Sequence, residues 1–348
     1  MKILIDTSPL DTGHAIRGIG TYTRLLTEHL EKRDDIFVVR SGTKQAEAFK
    51  PDLVHYPYFD LFFPTLPIFK KYPTVVTAHD VIPLIFPDEY SPGIRGRTRF
   101  IKQKSSLKNV KAVITDSESS KKDIEEHLRV PSEKTHVVYL AANPDLKKAS
   151  EKEIRRVKRK YKLPKNYVLY VGDINYNKNI PQLIKAARYL PQHVKLVCLG
   201  KSFIEQDIPE WNWIETQLAL SDVKNRVKFL ADVPGGAILD MAAIYSGALC
   251  YIQPSLYEGF GLPVLEAMQC RTPVVSTQAS SLKEVGGDYV VFVNQEAKSI
   301  AEGINQVLNW GKSERQEKIN AALEWSRTFN WDKTAQETVD VYKKVLND

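Results

Sequence analysis

The chain has 348 residues, 43% of them apolar and 26% charged, and a formal charge of +7. That balance excludes a fibrous or wholly disordered protein, and the length points to two domains, each able to bury its own core. Three cysteines, Cys198, Cys250 and Cys270, sit in apolar stretches without C-x-x-C spacing, which argues against a disulfide framework or a zinc site and suits a reducing compartment.

In chain order, 2–5 reads as a short apolar strand. It meets Asp6 after three apolar residues, too few for the core of a secretory leader. No uncharged apolar run approaches the roughly 20 residues of a membrane-spanning helix, so a cytoplasmic protein is expected. Arg17-Gly18-Ile19-Gly20-Thr21-Tyr22 opens a helical pattern over 21–32. Further strands are predicted at 36–39, 53–56, 74–77, 112–115 and 135–139, with a helix over 117–128. Between Ser91 and Lys111 seven basic residues (Arg95, Arg97, Arg99, Lys102, Lys104, Lys108, Lys111) occur without an acid, interleaved with Phe100, Ile101 and Leu107. This stretch suits a solvated face or peripheral contact of a basic amphipathic helix with an anionic membrane. A nucleic-acid site is the weakest reading, because no nucleic-acid motif accompanies the charge.

A charged stretch around 147–165 separates this series from a second: strands at 167–171, 194–199, 227–229, 248–252, 272–276 and 289–292. An amphipathic helix over 332–346 presents Val339, Tyr342 and Val345 or Leu346. Strand–helix alternation with apolar strands predicts an α/β protein of two doubly wound, Rossmann-like domains. Such sheets bind ligands beyond the carboxyl ends of their strands, so two facing domains would place a site in the cleft between them. The expected boundaries are 1–162, 163–328 and a C-terminal helix, 329–348, returning to the first domain.

The strongest local signal follows the strand at 248–252: Pro254-Ser255-Leu256-Tyr257-Glu258-Gly259-Phe260-Gly261-Leu262-Pro263-Val264-Leu265-Glu266-Ala267-Met268. Gly259 and Gly261 let backbone approach a ligand, and Pro263 suits the first turn of a helix. Free N–H groups at that helix start favour an anion such as a diphosphate. Glu258 and Glu266 flank the anion cradle and suit hydroxyl donors of a sugar or ribose. In the loop Tyr170-Val171-Gly172-Asp173-Ile174-Asn175-Tyr176-Asn177-Lys178-Asn179, Lys178 offers a point charge for phosphate. The bland readings are a tight strand-to-helix turn and a surface lysine.

Glu258 and Glu266, in E-G-F-G-L-P-V-L-E, resemble the E-x7-E motif of retaining GT-B glycosyltransferases of the family 4 type, also called group 1. Similar pieces recur in order along most of the chain: Val227-Lys228-Phe229-Leu230 before the motif, Thr272-Pro273-Val274-Val275 after it, and Phe329-Asn330-Trp331-Asp332 leading into the final helix. The resemblance implies that Glu258 touches donor-sugar hydroxyls, Gly259, Phe260, Gly261 and Leu262 cradle sugar and diphosphate, and Glu266 holds the ribose. Lys178 would neutralise the diphosphate. Gly18 and Gly20 resemble the family's N-terminal glycine loop, which lies against donor diphosphate or acceptor. His79, in Thr77-Ala78-His79-Asp80, matches a histidine near the reacting sugar, and His14 is a weaker acceptor candidate. Asp173 departs from the pattern by standing where arginine is common.

No Asp-x-Asp occurs anywhere in the chain, so metal-independent chemistry without a cofactor is expected. The absence of G-x-S-x-G, H-E-x-x-H and G-x-x-x-x-G-K-[ST] argues against hydrolase, zincin and P-loop readings. The resemblance thus implies a retaining hexosyltransferase moving sugar from a nucleotide diphosphate donor, GDP-mannose or a UDP-sugar, to a glycan or lipid-linked acceptor. A nucleotide-sugar epimerase, a phosphorylase and a silent binding module are the alternatives.

Overall fold

The computed structural model describes residues 1–13, 15, 18–42, 48–234 and 236–347; His14 and Arg17 lie outside the described residues. The chain divides into two compact units, Met1–Ala141 with Phe329–Asp348, and Ala142–Thr328.

All twelve predicted strands form. In the first unit they are β1 (Lys2–Ile5), β2 (Phe37–Arg40), β3 (Leu53–Tyr56), β4 (Thr74–Thr77), β5 (Ala112–Thr115) and β6 (Thr135–Val137). They make one parallel sheet in the order β2-β1-β3-β4-β5-β6. Every residue of β4 and β5 is buried, as expected of central parallel strands covered on both faces. Val76 and Val113 pack with Leu107, Val110, Ile124 and Leu128 from the flanking helices and turns. The predicted helix at 117 starts with Ser117 as its N-cap, whose hydroxyl accepts from the Ser120 amide at 3.0 Å.

The helix Trp331–Asn347 packs on Gly18–Glu31 within this unit, burying Val339, Tyr342 and Val345. Its Tyr342 hydroxyl lies 2.6 Å from His55 Nδ1, and His55 Nε2 lies 2.8 Å from Thr77 Oγ1, which is 2.9 Å from the Tyr22 hydroxyl. This buried polar chain ties β3 and β4 to both helices. Burial pushes the His55 pKa down to about 3, so its ring is neutral in the folded protein.

The second unit holds β7 (Tyr167–Val171), β8 (Lys195–Leu199), β9 (Val227–Leu230), β10 (Cys250–Gln253), β11 (Val274–Thr277) and β12 (Val291–Val293). They form a second parallel sheet, ordered β12-β11-β10-β7-β8-β9. The chain direction across this sheet reverses between β7 and β10, the topological switch point where doubly wound sheets take ligands. The helix Glu151–Lys160, expected with the N-terminal domain, falls in the second unit. A Ser150–Glu153 capping box starts it, and Arg156 and Lys160 reach Asp240 at 2.6 and 2.7 Å on the neighbouring helix Ile238–Ser246. The three cysteines are free and buried.

Candidate functional site

β7 and β10 are hydrogen-bonded neighbours, so the loops that leave their carboxyl ends run side by side. Backbone and amide bonds lace the loops together: Leu256 N donates to Asn177 O at 2.7 Å, Asn177 Nδ2 to Tyr257 O at 2.9 Å, and Asn179 Nδ2 to Pro254 O at 3.0 Å. Asn179 holds a left-handed φ of 57°, which turns the first loop into the helix Ile180–Ala186.

This lacing brings together two residues 80 positions apart. Lys178 Nζ lies 2.8 Å from each carboxylate oxygen of Glu258. Ser255 Oγ donates to the same carboxylate at 2.6 Å, and Gln253 Nε2 donates at 2.8 Å. The Tyr251 hydroxyl donates in turn to Gln253 Oε1. The Glu258 side chain is 9% exposed and that of Lys178 is 20% exposed, so the pair is mostly desolvated. Its hydrogen bonds fix the carboxylate in one orientation.

The backbone after Glu258 is clamped from the loop beyond β11. Ser280 Oγ accepts from Glu258 N and donates to Glu258 O, both at 2.7 Å. Ser281 Oγ sits 2.9 Å from the carbonyls of Glu258 and Phe260. Gly261 then takes φ 106°, and a Cβ there would meet Leu282 Cδ2 at 2.8 Å, so glycine is required on two counts. The helix Leu262–Gln269 starts at this turn, with Pro263 in its first turn as predicted. Glu266, one turn in, accepts from the Tyr245 hydroxyl at 2.7 Å. Burial raises its pKa above the ordinary carboxyl value, and the tyrosine hydrogen bond opposes the rise.

Asp173 uses its carboxylate locally, accepting from Ile174 N at 2.9 Å, while its carbonyl accepts from the Tyr170 hydroxyl at 2.7 Å. It shapes the turn after β7. A cavity of about 370 Å³ lies beside the paired loops, lined by Tyr176, Asn179, Trp213, Leu256 and Gln295; neither Lys178 nor Glu258 lines it. Among the described residues, no group of three His, Cys, Asp or Glu side chains is placed to hold a metal ion, and no helix is long and apolar enough to cross a membrane.

The first unit holds a second cluster. His79 follows the carboxyl end of β4, and its Nδ1 lies 2.7 Å from Asp116 Oδ2, just beyond β5. Its Nε2 lies 3.2 Å from the Pro57 carbonyl, beyond β3. Both ring nitrogens face acceptors, which only the imidazolium form satisfies completely. Burial works against that charge, but the charge of Asp116 and its hydrogen bond prevail and hold the pKa above the usual histidine value. Asp116 Oδ1 is buried with no hydrogen-bond partner. The Tyr22 ring meets His79 edge-on, 4.7 Å between centroids at 89°. Tyr22 belongs to the helix Gly18–Glu31, so Gly18 and Gly20 occupy its first turn.

Sequence reading named Lys178, Glu258, Glu266 and His79 as candidates and did not name the residues bonded to them: Gln253, Ser255, Ser280 and Ser281 around Glu258, Tyr245 on Glu266, and Asp116 on His79. Gln253 had a readable signal, since period-2 spacing puts it on the same face as Tyr251 at the end of the strand, with Ser255 just beyond it. The others come from distant segments and had none.

The description "Glycosyl transferases group 1" matches residues 150–324, and "Glycosyltransferase Family 4" matches residues 30–146. The chain belongs to the group 1 glycosyltransferases. O-antigen chain mannosyltransferase B of Escherichia coli is 31% identical to it over 277 residues, covering 77% of this chain and 70% of that protein. The serotype-specific mannosyltransferase WbdA of Escherichia coli is 27% identical over 78% of this chain, which spans only 34% of that longer protein. Among solved structures, HepE of Anabaena in complex with UDP and glucose superimposes with a TM-score of 0.77 at 19% identity, covering 99% of this chain and 100% of that one. The two parallel sheets are therefore those of the GT-B fold.

Proposed function

We propose that this transferase moves a hexosyl group, with retention, from a nucleotide diphosphate sugar to a hydroxyl of a glycan or lipid-linked glycan in surface polysaccharide or glycolipid synthesis. The observation that carries the reading is the Lys178–Glu258 pair, held on adjoining loops at the switch point beside the start of the helix Leu262–Gln269. GDP-mannose is the first donor to test, because O-antigen chain mannosyltransferase B and WbdA carry mannosyltransferase in their names. A UDP-sugar is the second, since HepE was solved with UDP.

In this reading a diphosphate competes with Glu258 for Lys178, and the amides from Gly259 to Leu262 take its remaining charge. Glu258, still oriented by Ser255 and Gln253, accepts hydrogen bonds from sugar hydroxyls. Glu266 accepts from the ribose. The acceptor oxygen attacks the anomeric carbon on the face the diphosphate leaves. The carbon–oxygen bond to the diphosphate breaks, and the departing phosphate oxygen takes the acceptor proton, so the products are the glycosylated acceptor and nucleoside diphosphate. The cationic cradle stabilises the charge developing on that leaving group, and no metal or other cofactor is called on.

The test is nucleoside diphosphate release from GDP-mannose and from UDP-glucose, with and without a polysaccharide-derived acceptor, in buffer containing a chelator. Acceptor-dependent release from one donor, lost in Glu258→Ala, is expected. Release only with added magnesium would overturn metal independence. An epimerised sugar, phosphorolysis, or nucleotide binding without turnover would each overturn the transfer reading.

A further inference from the structure

We propose that one face of the first unit is a docking surface for anionic lipid bilayers, built by the helix Gly93–Ser106 and the loop that precedes β4. The helix buries Gly96, Gln103 and Ser106 and carries Phe100 half-buried on the same side. Its opposite side carries Ile94 and Ile101, which are 85% and 68% exposed. Seven residues fall within about 20° of two full turns, so these isoleucines form one outward line, diametrically away from the core. Arg95, Arg97 and Lys102 are exposed on either side of that line.

The adjoining loop extends the surface. Phe62 packs on Phe100 with centroids 6.2 Å apart, Gln103 Nε2 donates to Asp60 O and Thr65 Oγ1 at 3.1 Å each, and Lys70 Nζ donates to Ser106 O at 2.6 Å. These contacts tie the loop to the helix. On its outside stand Phe63, 59% exposed under the Arg99 guanidinium at 5.4 Å, and Phe69, 91% exposed. Exposed aromatics, two isoleucines opposite the core, and a ring of guanidiniums form a pattern that a purely solvated face does not need.

Charge complementarity decides the occupant. The seven basic residues of 91–111 equal the chain's whole formal excess of +7, and four of them, Arg95, Arg97, Arg99 and Lys102, stand exposed on this helix. An acidic headgroup layer meets the arginines while the apolar side chains enter the acyl boundary. Nucleic acid would satisfy the charges and leave Phe69 and Ile94 in water, and a protein partner would need an acidic rim around an apolar centre, which a bilayer of acidic headgroups over acyl chains supplies without a matched shape.

The experiment is co-sedimentation of the whole protein with vesicles of phosphatidylcholine alone and of phosphatidylcholine mixed with phosphatidylglycerol. It needs no donor or turnover, so its result is independent of the transfer reading. Binding to the anionic vesicles only is expected, weakening with salt. Partition should fall roughly a hundredfold in Arg95→Gln/Arg97→Gln/Arg99→Gln, at about fivefold per charge. In Phe69→Ser/Ile94→Ser it should fall at least tenfold at unchanged charge, with the melting temperature of both variants unchanged because every altered side chain is exposed. Failure to bind anionic vesicles, equal partition of the Phe69/Ile94 variant, or tighter binding of an RNA homopolymer than of vesicles would overturn the proposal.

Discussion

Replacing Lys178 by methionine tests whether the Lys178–Glu258 pair is a ligand site or only a structural bridge. Methionine keeps most of the side-chain volume and removes the charge. It leaves the 9%-exposed Glu258 carboxylate without its cation. Breaking a buried pair in this way typically costs about 3–5 kcal/mol. Here Ser255 and Gln253 still donate to the carboxylate, and each such bond to a charged group is worth about 1.5–3 kcal/mol, so the loss should fall near 2 kcal/mol. For a unit of this size that is roughly 4–8 °C in melting temperature. A structural bridge predicts no more than this. A phosphate ligand predicts a second effect: the rise in melting temperature on adding GDP or UDP, roughly 2.7 kcal/mol at a hundredfold excess over Kd, disappears. Differential scanning fluorimetry of the protein and the variant, each with and without nucleotide, separates the two. If the variant keeps the full nucleotide shift of the unaltered protein, Lys178 does not hold the diphosphate and the cradle has been misplaced.

Gly261→Ala should destabilise by about 1–3 kcal/mol and weaken nucleotide binding together, since its φ of 106° is strained for alanine and the new Cβ meets Leu282; circular dichroism and calorimetric titration check both. Asp116→Asn removes the partner that keeps His79 charged, so the ring should lose its proton at a lower pH, visible as a shifted imidazole titration in NMR. Because the His79 pKa is raised on folding, the stability from that pair is present below pH 6.5 and is lost as pH rises through the folded value, a loss the variant should not show. His55 has the opposite sign. With a folded pKa of about 3, it must be buried neutral, so acid removes about 2 kcal/mol of stability between pH 6.5 and pH 5, and urea midpoints in His55→Gln should depend less on pH over that range.

The strands were legible because each sequence run is short, apolar, rich in β-branched residues and bounded by turn residues, which favours a parallel strand buried on both faces over a helix. The switch point was not legible, because nothing in 167–171 or 250–253 states that these two strands pair. Sequence could therefore name Lys178 and Glu258 but could not join them. The domain boundary shows the same limit: the helix Glu151–Lys160 carries charges that read as a linker, and its bonds to Asp240, which also accepts from Tyr161 at 2.7 Å, help assign it to the second unit.

Asp173 shows how a departure from a family pattern resolves once local bonds are known. An arginine there would extend a cation toward the anion cradle, whereas the aspartate turns its carboxylate onto the next amide. In the proposed reading it therefore withholds a positive charge that an arginine would supply to the diphosphate. On that reading Lys178 and the helix start Leu262–Gln269 take the larger share of the leaving-group charge, so donor affinity should depend steeply on Lys178.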